Sequence, residues 1–160
     1  MTQNTAAARA AAAPGRLNWY KIDPNAYQAM MRMEEISSHQ LDPALRELVK
    51  MRASGLNGCA YCLDMHARDA AAQGETLQRL VVVGAWEEAE HLFTPREQAA
   101  LALTDAVTRL GQHGVPDEVW ERAAGQFDEK ELVHLLMAIV TINAWNRLAV
   151  TTQAYVKPQG

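Results

Sequence analysis

RELVKMRASGLNGCAYCLDMHARDA, residues 46–70, reads as two helices joined by a tight turn. Asp42 just upstream is placed to cap the first helix, with Pro43 at its first position. Leu45, Leu48 and Val49 form its apolar stripe. Gly55 and Gly58 supply the turn, and a further helix covers roughly Cys59 to Gln73 before Gly74 stops it. The same stretch holds both cysteines of the chain, three residues apart, and His66 follows four residues after the second. At about 100° per residue, Cys62 lies about 300° and His66 about 340° round the helix from Cys59, so all three share a sector of roughly 60°. The thiols can therefore close a disulfide across one turn, with the imidazole beside Cys62 at i,i+4. Cys59 sits at the helix start, where the dipole and unpaired N–H groups favour a thiolate. Glu47 and His66 each lie about 10 Å along their helices from the turn. If the two helices fold back on each other, the carboxylate meets the imidazole, and the imidazole can move a proton to or from a thiol.

The helical pattern continues outward on both sides. Asp23 and Pro24 open a helix through AYQAMMRMEEISSHQ, and Met30, Met31 and Met33 read as packing residues in it. RLNWYKIDPN before it reads as irregular. Thr76 opens a shorter helical piece, TLQRLVVVGAWEEAEHL, whose VVV is the one place where a strand is conceivable but is too short and isolated for a sheet. TPREQAALALTDAVTRLG carries a capping box, Thr94 with Glu97. PDEVWERAAGQF and a long run from Asp128 to about Tyr155 complete an all-α pattern without credible strand pairing. Residues 1–18 are expected to be a flexible Ala-rich arm and 19–157 a single helical domain.

Composition narrows the function. The formal charge is −4, so no basic surface points to nucleic acid. No run of about eighteen apolar residues occurs, so no membrane span is expected. A disulfide framework is excluded by two neighbouring cysteines. The pattern suits the cytoplasm, where such a pair means redox or metal chemistry.

Glu47, Cys59, Cys62 and His66 at these spacings resemble the signature of the AhpD-like alkylhydroperoxidases of the carboxymuconolactone decarboxylase superfamily. TINAWNRLAV, residues 141–150, resembles a stretch in the last helix of those proteins. The resemblance runs from about Tyr20 to Tyr155. It implies a helical thiol-dependent peroxidase of antioxidant defence, working through a redox-active disulfide without a bound cofactor or metal. By the same resemblance Cys62 attacks the hydroperoxide, Cys59 resolves the sulfenic acid, and His66 with Glu47 relays protons. The dipole favours Cys59 as the more acidic thiol, whereas His66 adjoins Cys62. The implied partners are an external dithiol or lipoyl-type reductant and further copies of the chain, as a dimer, trimer or hexamer.

One position departs from the family pattern. Tyr61 stands where better-studied members carry a second histidine beside the peroxidatic cysteine. The decarboxylases of the superfamily lack the cysteine pair, which disfavours lactone decarboxylation here. Tyr61, Asn143, Trp145 and Asn146 are candidate pocket-lining residues, with Arg147 beside them. Two other readings stay open: a non-catalytic redox switch using the same disulfide, and a zinc site of Cys59, Cys62, His66 and Glu47. His39, His91, His113 and His134 have no organised partners in the sequence.

Overall fold

The computed structural model describes residues 15–38 and 40–158. Among them run eight α-helices: α1 (Trp19–Ile22), α2 (Pro24–Ser38), α3 (Pro43–Leu56), α4 (Ala60–Ala72), α5 (Leu77–Val82), α6 (Pro95–Thr108), α7 (Asp117–Ala124) and α8 (Glu129–Thr152). A 3-10 stretch, Val83–Leu92, joins α5 to α6. There is no strand among the described residues, so the all-α expectation holds. His39 and residues 1–14 of the expected arm lie outside the described residues.

Local chemistry sets the helix starts. The Asp42 carboxylate accepts from Leu45 N–H at 3.0 Å, and Asp23 accepts from Asn25 N–H at 3.0 Å. Thr94 with Glu97 and Asp128 with Glu131 each complete a capping box, satisfying N–H groups that the first turn leaves unpaired. One expectation is corrected. The segment before Pro24 is not wholly irregular, because residues 19–22 form the single turn α1. The piece that Thr76 opens is helical, as expected, VVV included: Val81 and Val82 end α5 and Val83 opens the 3-10 stretch. With no neighbouring strand to pair with, that stretch buries Val83 and Trp86 instead and kinks at Ala85 and Ala89.

Helix α3 is the axis of the molecule, packing against α4, α6 and α8. Its Leu45 and Val49 join one core cluster with Leu103, Leu135 and Ile139. Leu48 and Met51 join a second with Trp86, Phe93 and Leu101. Ala53 joins a third with Cys59, Cys62 and Ile142. Because three clusters surround it, α3 buries residues on every side, including the polar Glu47, Lys50 and Ser54. Polar groups held there must find partners inside the protein. Helix α8 is apolar enough and, at 24 residues, long enough to cross a bilayer, with a mean hydropathy of 1.3 over its most apolar 18 residues. Its Leu135, Ala138, Ile139 and Ile142 are instead buried against the other helices.

Candidate active site

The turn between α3 and α4 builds the site. Gly58 has φ +66, a left-handed conformation that favours glycine. Gly58 N–H donates to Gly55 O at 3.2 Å and Cys59 N–H to Ser54 O at 2.9 Å. These two bonds form a Schellman closure, satisfying the last carbonyls of α3. The chain then enters α4 at once, and Cys59 becomes its N-cap. The Cys59 Sγ accepts from the Cys62 N–H at 3.4 Å, where a serine or aspartate oxygen is the usual acceptor.

Both cysteines are free and buried, and their sulfurs are 2.8 Å apart. The hydrogen bond from the Cys62 thiol lowers the Cys59 pKa to about 6, against the opposing effect of burial. Backbone N–H groups of Cys62 and Tyr61 and the Asn146 side chain assist. Conversely, the hydrogen bond it gives to Cys59, together with burial, pushes the Cys62 pKa up. The pair therefore holds one negative charge near neutral pH, resting on Cys59, the sulfur that the helix dipole favours.

Glu47 and His66 meet across the α3–α4 pair, with His66 Nδ1 2.7 Å from Glu47 Oε2. Both side chains are buried. Burial raises the Glu47 pKa, but the His66 hydrogen bond and charge, with Lys50 and Arg46, hold it below its ordinary value. Arg46 Nε donates to Glu47 Oε1 at 3.2 Å. Lys50, also buried, pairs with Glu34 of α2, whose other oxygen accepts from Trp145 Nε1 at 3.1 Å.

A cavity of about 740 Å³ opens onto this group. Cys62, His66, Glu47 and Tyr61 line it, while Cys59 is not among its lining residues. An aromatic wall of Trp19, Tyr20, Tyr27 and Trp145 stands in it, with ring centroids about 6 Å apart between neighbours. Met31 lines it as well and is not a core residue; Met30 and Met33 are half-buried.

Tyr61 and Trp145 line the cavity. Asn143 and Asn146 do not. They occupy the inward face of α8, behind the α3–α4 turn, where Asn57 Nδ2 donates to both Oδ1 atoms at 2.9 Å. Arg147 donates to Asn143 Oδ1 at 3.0 Å and so belongs to the same network. Ser54, Asn57, Lys50 and Glu34 were missed. Ser54 and Asn57 read in the sequence only as helix end and turn, and nothing there links Glu34 to Lys50.

Among the described residues, the donors close enough for one metal ion are Glu47, His66 and Asp69, within 4.8 Å of one another. Neither thiol belongs to that set, so the thiol-based zinc arrangement is not assembled. The group left is an acidic thiol pair behind a cavity, with a hydrogen-bonded imidazole and carboxylate in the cavity wall. Such a set can form and break a disulfide and shuttle protons.

Comparison with known proteins gives consistent results. Residues 24–106 match the carboxymuconolactone decarboxylase family. The uncharacterized protein YdfG of Bacillus subtilis (strain 168) is 40% identical over 136 residues, 84% of this chain and 92% of that protein. A crystal structure from Agrobacterium tumefaciens superposes with a TM-score of 0.86 at 35% identity, covering 91% of this chain and 99% of that one. That protein is of unknown function and is described as a candidate antioxidant defence protein AhpD. An uncharacterized peroxidase-related protein of Ralstonia eutropha JMP134, described as an alkylhydroperoxidase AhpD core, shares the fold at TM-score 0.73 and 18% identity, over 86% of this chain and 74% of that one.

Proposed function

The chain belongs to the carboxymuconolactone decarboxylase family, and on that premise we propose that it is a thiol peroxidase of the AhpD-like kind, reducing hydroperoxides in antioxidant defence. One observation carries this reading: Cys62 lines the cavity beside His66, with Cys59 in contact behind it at 2.8 Å.

In the proposed cycle a proton crosses the sulfur contact from Cys62 to Cys59, leaving the thiolate on Cys62. That thiolate attacks one peroxide oxygen. An S–O bond forms, the O–O bond breaks, and the departing alkoxide takes a proton from His66, which Glu47 orients through Nδ1. Cys62 is now a sulfenic acid. Cys59 passes its proton to His66 and attacks the Cys62 sulfur. The S–S bond forms, and hydroxide leaves as water with that proton. Two thiols lose two electrons in total, and the peroxide becomes an alcohol and water. An external dithiol, of lipoyl or protein type, returns the electrons by exchange. Tyr61, exposed at the cavity, contributes to its shape.

Steady-state peroxide consumption with dihydrolipoamide as reductant tests the reading. Wild-type protein turns over many times. Cys62→Ser consumes no peroxide. Cys59→Ser consumes about one equivalent per chain and then stalls as the sulfenic acid. Wild-type protein that consumes one equivalent and never turns over with any dithiol would make the pair a switch instead.

A further inference from the structure

The last helix brings to the sulfurs a polar group that no step above uses. Asn146 is completely buried. Its Oδ1 accepts from Asn57 Nδ2 at 2.9 Å, and its Nδ2 donates to Ser54 Oγ at 3.0 Å. These two contacts fix which way the carboxamide faces: oxygen toward the turn, amino group toward Ser54. The amino group has two hydrogens, and Ser54 takes one. The Asn146 side chain also acts to lower the pKa of both Cys59 and Cys62. Ser54, whose oxygen has accepted from Asn146, acts on Cys62 in the same direction.

Further contacts brace this arrangement. Asn57 also donates to Asn143 Oδ1 at 2.9 Å. Asn143 Nδ2 donates to Thr108 Oγ1 at 2.9 Å and to Ile139 O at 2.8 Å. The braces on Asn143 come from α6 and from α8 itself, so the Asn146 amide, which shares Asn57 with it, is held from behind and cannot swing away cheaply.

A negative charge on a buried sulfur needs fixed donors, because water is excluded. In a disulfide cycle that charge does not stay on one atom. It lies on one thiolate, passes to the other, vanishes in the bridge and reappears when a reductant opens it. A donor in reach of both sulfurs can serve every one of these states without moving. We propose that Asn146 is a catalytic donor, its carboxamide aimed by Asn57 and Ser54 so that one N–H stabilises whichever sulfur of the pair is anionic. This rests on the thiol-redox reading, but its observable is the acidity of the pair and needs no peroxide turnover. A protein that never turns over peroxide could still pass the test, and an active peroxidase could fail it.

The test follows iodoacetamide alkylation of Cys59 and Cys62 against pH, located by mass spectrometry, in wild type, Asn146→Leu and Thr108→Val. Leucine keeps the shape of asparagine and removes the donor. Thr108→Val weakens the far brace and leaves the sulfur contacts alone. Wild type should titrate at about pH 6, and Asn146→Leu at least about one unit higher, since a hydrogen bond to a charged group is worth about ten- to a hundredfold in the ionisation constant. Thr108→Val should titrate with wild type. A second arm uses the wild-type protein, so it stands even if Asn146→Leu fails to fold. The side-chain NH2 resonances of Asn146 should titrate with the thiol midpoint and lose that dependence once the disulfide is formed. A folded Asn146→Leu with an unshifted midpoint, an equal shift in Thr108→Val, or Asn146 resonances indifferent to the thiol titration would overturn the proposal.

Discussion

At the scale of single residues, the site divides its work between a charge store and a proton handler. Cys59 stores the charge because Cys62 and the first N–H groups of α4 converge on its sulfur. Glu47 stays ionised well into acid, because His66, Lys50 and Arg46 more than offset the cost of its burial. A thiol with a depressed pKa is protonated and inert below that value and reactive above it. Peroxide consumption should therefore climb as pH rises through about 6 and be level from neutrality to pH 8. Glu47→Gln keeps an oxygen for the His66 contact but removes the carboxylate charge beside the imidazole. Its activity should fall by about a hundredfold, at the lower end for loss of acid–base assistance, while the midpoint near 6 stays with the thiols. Stopped-flow assays across pH, with circular dichroism to confirm the fold, measure both. The Glu47–His66 meeting was legible in the sequence because equal distances from a turn fix equal heights on two helices that fold back. The burial of Asn143 and Asn146 behind the turn was not legible. Which way a polar residue on an apolar helix faces depends on the rotation of that helix in the core, and spacing along the chain carries no record of it.

At the scale of elements, most helix starts were readable because a cap is a local event. Asp42, Thr94 and Asp128 each accept an N–H three residues ahead, a contact closed within one turn. The 3-10 stretch was not readable. Its shape follows from Trp86, whose Nε1 donates to Asp105 of α6 at 3.1 Å, and from Arg52 of α3, which grips the same carboxylate. Side chains from two distant helices decide that segment. The element most consequential for function is the α3–α4 turn. A Cβ at Gly58 would meet no neighbour within 4 Å, so space is not the obstacle there. The obstacle is φ +66. Gly58→Ala should lower stability by about 1–2 kcal/mol, the cost of a left-handed L-residue. Any relaxation of the turn should also displace the Cys59 cap. Thermal melts, paired with the alkylation midpoint of Cys59, read the two effects together.

At the scale of the whole molecule, the termini of the described chain meet beside the cavity: Arg16 N–H donates to Thr152 O at 2.6 Å, and Gly15 and Lys157 both line the opening. The aromatic wall therefore draws on α1, α2 and α8, elements far apart in sequence. Large apolar side chains also remain outside the core: Val133 and Val140, one heptad apart on α8, are exposed, as is Ile36 on α2. Exposed apolar groups at that spacing suit a second copy of the chain, as the family resemblance implies. Light scattering should return a mass at a multiple of 17.7 kDa; Val140→Glu should shift it toward the single chain. The use of sulfur as a helix cap has a practical corollary. The Cys62 amide has no partner within its helix and leans on Cys59 instead. Once the sulfurs are bonded to each other, the acceptor is neutral and holds that amide less well. Its hydrogen–deuterium exchange should quicken in oxidised protein, so a single backbone cross-peak becomes a dye-free gauge of how much of a sample is spent.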